Sequence, residues 1–238
     1  MKKLIQLEKE HIPRGIHDYL YIRPTYISMT DQLGVLPPTS AKIFIIMSPV
    51  NVNEKKPLKV YCTDEVVKKY PYSFGDLNLG SNLGPILEQM KNTREKGYDD
   101  ILFLINGNIT ELSEMNVFVY WENRSGTREL VTPELDGTVL PGITRDSVIQ
   151  LGKDLGVDVV ERHISIKEVI DAVKENRCLE IFGTSTLDGF ASFQEINYNN
   201  QNFKIPNNSI KNKLSQLIYD SLLKIKVGAQ EHPWVTIV

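Results

Sequence analysis

The chain has 238 residues, 41% of them hydrophobic and 24% charged, with a formal net charge of −3 at pH 7. Such a length holds one large domain or two small ones, and such a composition is that of an ordinary soluble globular protein. The slight negative balance argues against a nucleic-acid or anionic-membrane partner, and the longest apolar runs, such as Ile43 to Met47, are far too short for a transmembrane segment.

The N-terminal "MKKLIQLEKEHIP" predicts the tail of a short helix stopped by Pro13. It lacks the apolar stretch of a signal peptide, and Glu8 and Glu10 break the acid-poor rule of transit peptides. "DYLYIRPTYISM" and "AKIFIIMSPV" read as two strands, and "LKVYCT" as a third. A glycine-rich stretch, "YSFGDLNLGSNLG", leads into the amphipathic helix "GPILEQMKNTREKGY". "DILFLI" is a buried strand closed by the turn "NGN", and "MNVFVYWEN" pairs with "RELVTP". "GITRDSVIQLGKDLG" predicts a helix capped by Thr144 and ended by Gly156. "VDVVERHI" is a strand, and "SIKE" from Ser165 to Glu168 is a capping box opening the next helix. "CLEIFGTSTLDGFASF" reads as strand, loop and strand, and "NNSIKNKLSQLIYDSLLKIKVG" as the last helix. Helices and strands mixed in this order imply an α+β fold or mixed sheet rather than a doubly wound one.

Few residues stand out chemically. The four histidines are scattered with no HxH or HExxH pair, so no metal site is expected. Cys62 and Cys178 form no CxxC motif and read as packed thiols of a reducing compartment. "LPGITRDS" and "FGTSTLDG" are glycine- and hydroxyl-rich stretches that could cradle a phosphate through backbone N–H groups, although a helix cap and a turn explain them as well. By position alone Glu111 is an exposed carboxylate at a strand end, and Tyr21 and Arg23 of "YIRP" are surface residues of an edge strand.

The order of these pieces resembles the branched-chain amino-acid aminotransferase family, pyridoxal-phosphate enzymes of fold type IV. "LYIRPTYI", "LGVLPPTSAKIFIIMSPV", "ITELSEMNVFVYW", "VVERHISIKEV", "NRCLEIFGTST" and, most specifically, "LDGTVLPGITRDS" fall in family order at near-family spacing. The resemblance implies an α+β fold with a fold type IV aminotransferase-like large domain over 57–238, a pseudo-barrel of mixed sheets with flanking helices. Residues 1–56 would then be a remnant of the family's small domain, the chain beginning partway through it. The resemblance also places a pyridine-nitrogen partner at Glu111, phosphate contacts at Gly142, Ile143, Thr144 and Thr186, and substrate contacts at Tyr21 and Arg23.

Other family positions are changed. The loop that reads roughly "GDxKxGGNYG" in the family is "GDLNLGSNLG" here, so the lysine that forms the imine aligns with Asn78 and the cofactor-touching tyrosine with Leu83. Asn has no nucleophilic amine, and general acid–base catalysis alone contributes about 10²–10⁴ in rate. Lys68 and Lys69 lie some ten positions earlier, before Pro71, and nothing in the sequence turns them inward. The expectation is therefore a pseudoenzyme with no cofactor and vestigial contacts at Glu111, Ile143, Thr144, Thr186, Tyr21 and Arg23. It would act as a structural subunit of a larger complex, with a mitochondrial membrane assembly such as the respiratory chain or ATP synthase as the candidate host. The strand pair should be covered by a protein partner, in a homodimer or a hetero-complex. The alternatives are a non-covalent pyridoxal-phosphate or anion-binding module, and a residually active branched-chain aminotransferase. Localisation is expected to be mitochondrial, with the cytoplasm as the alternative.

Overall fold

A computed structural model describes all residues except Ile16, 52–55, Asp188 and 207–212. The chain divides into two compact units, Met1–Asn53 with Pro233–Val238, and Glu54–His232.

The first unit contains helix α1 (Lys2–Leu7) and two long antiparallel strands, β1 (Asp18–Ser28) and β2 (Ala41–Asn51), in register with Ile22 opposite Met47. Both strands match the sequence reading, because their β-branched and aromatic residues fit a pleated surface.

The second unit is built on a nine-stranded mixed sheet. In chain order its strands are β3 (Leu58–Thr63), β4 (Asp100–Ile105), β5 (Asn108–Leu112), β6 (Asn116–Glu122), β7 (Arg128–Thr132), β8 (Asp158–Glu161), β9 (Cys178–Ser185), β10 (Gly189–Tyr198) and β11 (Gln201–Lys204). The spatial order is β5-β4-β3-β10-β9-β6-β7-β8, with β11 against β10. β3 runs parallel to β4 and to β10, and β7 parallel to β8, while the remaining pairs are antiparallel.

β6 shows why the sheet lies at the centre. Its residues alternate between faces with period two. Val117, Val119 and Trp121 enter one apolar cluster, together with Val169 and Ile170 of helix α4 (Ile166–Lys174). Phe118 enters a second cluster with Val148 and Leu151 of helix α3 (Ile143–Asp154) and Ile218 and Leu222 of helix α5 (Leu214–Lys226). In that cluster Phe118 stacks on Phe182 with ring centroids 5.3 Å apart. Burial on both faces makes central strands near-continuous apolar runs, as "NVFVYW" is.

Local signals set several boundaries. Asn106 and Gly107 have positive φ (51° and 75°), so "NGN" closes a tight hairpin between β4 and β5. Ser165 caps α4 by accepting the Glu168 N–H at 3.1 Å, as the capping box requires. The expected helix from Gly84 starts later: Gly84–Ile86 is a 3₁₀ turn and α2 spans Leu87–Glu95. α5 is described from Leu214; 207–212, the expected start of that helix, lie outside the described residues.

Candidate functional site

Glu111 lies in β5, one strand past the hairpin turn, and is only 2% exposed. A buried carboxylate needs partners on both oxygens. Oε2 accepts the Leu140 N–H at 2.9 Å. Oε1 meets two ammonium groups, Lys68 Nζ at 2.6 Å and Lys69 Nζ at 2.7 Å. Both lysine side chains are buried, at 7% and 5% exposure. Lys68 also donates to the carbonyls of Leu112 (3.1 Å) and Ser113 (2.5 Å), so its three donors are all engaged. Among the described residues Lys69 is paired with Glu111, and Asp76 also attracts its charge. Burial lowers the Lys69 pKa and Lys68 beside it acts in the same direction, while Glu111 opposes both. Two cations thus share one carboxylate oxygen, with the carboxylates of Asp76 and Asp100 acting on Lys69 and Lys68 in addition.

A second set of polar groups continues from Leu140. Its carbonyl accepts Asn116 Nδ2 at 2.8 Å. Asn116 in turn faces Gly142, where an added Cβ would lie 2.2 Å from Asn116 Oδ1. Gly142 is the N-cap of α3 and no side chain caps that helix. The first-turn N–H groups of α3 thus lack intrahelical acceptors and face outward with the positive end of the helix dipole. Across the sheet Asn116 pairs in register with Thr184, whose buried hydroxyl has no hydrogen-bond partner among the described residues. Gly75, in the loop after Lys69, packs so closely that a Cβ there would lie 2.1 Å from the Gly137 carbonyl and 3.0 Å from Lys69 Cβ.

The positions read from the sequence fare differently. Glu111 is not an exposed strand end but the centre of a buried ion cluster. Thr144 is buried inside the first turn of α3 rather than capping it, because the chain turns helical at Ile143 and leaves Gly142 as N-cap. Ile143 is 78% exposed. Thr186 is exposed, one residue beyond the end of β9. Asn78 is exposed in the loop ahead of α2. Leu83 is half-buried and packs toward Ile86, Ile101 and Phe103. In the first unit Tyr21 is half-buried and Arg23 exposed. Lys68 and Lys69 turn inward, contrary to the expectation. A "KK" pair after "VV" looks like solvated charge, and only tertiary pairing with β5 reveals otherwise. Asn116 and Thr184 escaped notice because a buried amide and hydroxyl in apolar strands carry no pattern of their own.

The cysteines are buried and unpaired as expected. Burial pushes the Cys178 thiol up to about 12 and raises Cys62 as well.

Comparison with known proteins gives a consistent picture. The family model described as amino-transferase class IV matches residues 2–196. A branched-chain-amino-acid aminotransferase of Dictyostelium discoideum is 37% identical over 245 aligned residues, covering 100% of this chain and 65% of that protein. A cytosolic branched-chain-amino-acid aminotransferase of Rattus norvegicus is 36% identical (98% and 58% covered), and a mitochondrial one of Bos taurus 33% (99% and 62%). This chain thus spans about three fifths of the length of the curated relatives it matches. Among solved structures, an aminotransferase from Brucella abortus bound to the cofactor PLP superposes with a TM-score of 0.73 at 21% identity, covering 93% of this chain and 74% of that one.

These findings correct part of the sequence reading. The α+β fold type IV architecture holds. The pseudoenzyme and structural-subunit expectation is overturned: relatives that match essentially the whole chain are named as enzymes, and the site has two buried amines where none was expected. The expectation of no cofactor falls with it, since the matched family is one of aminotransferases and a structural neighbour holds PLP. The relatives include both cytosolic and mitochondrial forms, and among the described residues no helix is long and apolar enough to cross a membrane.

Proposed function

This chain belongs to the amino-transferase class IV family, and we propose that it is a pyridoxal-phosphate-dependent aminotransferase acting on branched-chain amino acids with 2-oxoglutarate as acceptor. The observation that carries the reading is the buried cluster of Glu111 with Lys68 and Lys69 at 2.6 and 2.7 Å. A buried cluster of ionisable side chains, one of them with a pKa lowered by burial, is the kind of arrangement that functional sites use.

The residues present suit such a cofactor. Thr184 offers a buried hydroxyl without a partner. Gly142 keeps clear a space that a Cβ would fill, at the uncapped start of a twelve-residue helix. Helix N-termini of this kind bind phosphate. Glu111 would accept a ring N–H, and the first turn of α3 with Thr144 would hold the phosphate. When bound, the cofactor supplies an aldehyde that takes up the amino group and a ring that delocalises the α-carbon's electron pair. The protein's own part is to hold the carboxylate ready through Leu140, to keep the amines out of water and to bind the anion.

The test is amino-group transfer. The full chain with pyridoxal phosphate, leucine, isoleucine or valine, and 2-oxoglutarate should produce glutamate. Absence of glutamate above the protein-free background with all three amino acids refutes the reading. Tight binding without transfer would favour the non-covalent module, which the exposed Asn78 supports.

We further propose that the β1–β2 pair is covered by a partner, most simply a second copy, because Tyr26, Ile43 and Ile46 are 70%, 68% and 53% exposed. A monomeric native mass would refute this. For the compartment we propose the mitochondrion, in line with the Bos taurus relative. Recovery in the cytosolic fraction alone would refute it.

A further inference from the structure

An ionised carboxylate offers about four acceptor directions, two on each oxygen. On Glu111 Oε1 both are occupied, by Lys68 Nζ at 2.6 Å and Lys69 Nζ at 2.7 Å. Among the described residues, Oε2 accepts only the Leu140 N–H, at 2.9 Å. Resting on the aminotransferase reading, we propose that the second direction of Oε2 is the seat of the cofactor's ring N–H, and that Lys68 is the positioning residue that keeps Glu111 turned to present it.

The case for Lys68 rests on what else it holds. The outermost torsion of a glutamate side chain is broad, so the plane of an unfastened carboxylate swivels readily. Lys68 fastens this plane to the backbone beside it. The ammonium that donates to Oε1 also donates to the carbonyls of Leu112 (3.1 Å) and Ser113 (2.5 Å), the two residues that follow Glu111. Those residues are fixed in turn. The Leu112 N–H donates to the Met115 carbonyl at 2.9 Å, and the Ser113 N–H to Asp100 Oδ1 at 3.3 Å. With Oε1 tied to this turn through Lys68 and Oε2 tied to the Leu140 segment, the remaining acceptor direction is fixed in space. Lys69 stands at a similar distance from Oε1, but among the described residues it is tied to no backbone carbonyl. It adds charge without fixing direction.

The experiment compares two probes on the full chain by equilibrium dialysis: pyridoxal phosphate, and its 1-deaza analogue, in which a C–H replaces the ring nitrogen. Both carry the same aldehyde and phosphate. The ratio of their affinities therefore reads the ring contact, and a variant that merely loosens the fold weakens both together. Wild type should prefer pyridoxal phosphate by about tenfold or more, as a hydrogen bond to a charged acceptor warrants. Lys68→Met should reduce that preference to about threefold or less, whereas Lys69→Met, which removes an equal charge from Oε1, should keep it within about twofold of wild type. Should Lys68→Met not fold, Lys68→Gln, neutral but still a donor, carries the same expectation.

A preference that survives the change at Lys68 overturns its assignment. Equal losses in the Lys68 and Lys69 variants would show that charge rather than fastening matters, and overturn it as well. A wild type that binds both probes alike refutes the Oε2 seat and the role of Lys68 together; amino-group transfer by that same protein would leave the aminotransferase reading standing. Binding of neither probe, with no transfer, refutes both.

Discussion

Replacing Glu111 with Gln tests the central cluster directly. Gln keeps an oxygen for the Leu140 N–H but turns a neutral amide toward two buried ammonium groups. Stranding a buried charge by removing its partner costs about 3–5 kcal/mol. The loss has a ceiling, because an amine can shed its proton instead. From a reference pKa of about 10.4, neutralising one lysine costs about 1.4 kcal/mol per pH unit, hence about 4.6 kcal/mol at pH 7 and about 2 kcal/mol at pH 9. Lys68 retains its two carbonyl acceptors, so Lys69 should be the group that loses its proton. With a urea slope of about 3 kcal/mol/M, the midpoint should fall by about 1.0–1.5 M at pH 7, and the deficit should shrink by about half at pH 9. Adding Lys69→Met should recover part of it, since the double variant buries one cation fewer. Urea titrations of wild type, both single variants and the double variant, followed by circular dichroism at the two pH values, provide the cycle. A Gln variant less than about 1 kcal/mol below wild type at pH 7, or a deficit that does not shrink at pH 9, would show that the lysines are not held as buried ammonium ions by Glu111.

Other outcomes follow from the same structure. Because the Lys69 pKa is lower folded than unfolded, the unfolded chain binds more protons between those two values, and stability should rise with pH across that interval; urea midpoints of Lys69→Met should show a flatter alkaline slope, and an unchanged slope would show that Lys69 titrates alike in both states. Glu180 is buried and accepts from Leu214 N (2.6 Å), Ser215 N (3.2 Å) and Ser215 Oγ (2.5 Å), so Glu180→Ala should strip the start of α5 and cost about 2–3 kcal/mol of unfolding free energy. At Gly142 φ is −67°, which any residue tolerates, so the harm of Gly142→Ala is the collision with Asn116. It should cost about 1–3 kcal/mol and weaken pyridoxal-phosphate binding in equilibrium dialysis. Undiminished affinity would exclude the start of α3 as the phosphate seat. Neither Cys62 nor Cys178 should react with a disulfide reagent at pH 8 in the folded protein, and both should react in urea.

Features written in neighbouring residues were legible in the sequence. The "NGN" hairpin, the Ser165 capping box and the β1–β2 pair each depend on a few adjacent side chains and were placed correctly. Thr144 was misplaced because a Thr near a helix start fits either the cap or the first turn, and only the backbone angle at Gly142 decides. β11 is four residues long with little apolar character, so it exists only because β10 offers it an edge. The site was half legible. Glu111 was found by resemblance, but one of its partners is the Leu140 N–H, 29 positions away in sequence. The same holds for Lys68 and Lys69, whose direction is set by a carboxylate more than forty residues later. The pseudoenzyme inference from Asn78 was overturned by the relatives, because one substituted position does not reveal the rest of a site assembled from distant segments.

The way β10 is shared has a consequence for synthesis. Residues 189–192 pair with β9, and residues 193–197 pair with β3, which leaves the ribosome more than a hundred residues earlier. Until β10 arrives, β5-β4-β3 and β9-β6-β7-β8 are two separate sheets, each with an open edge, and the nascent chain must hold both apart from other strands. Joining them is a late, non-local event of the kind that slows folding and invites misassociation. A ribosome-stalled chain ending near residue 185 should therefore engage a holding chaperone, and one extended past residue 200 and the exit tunnel should release it.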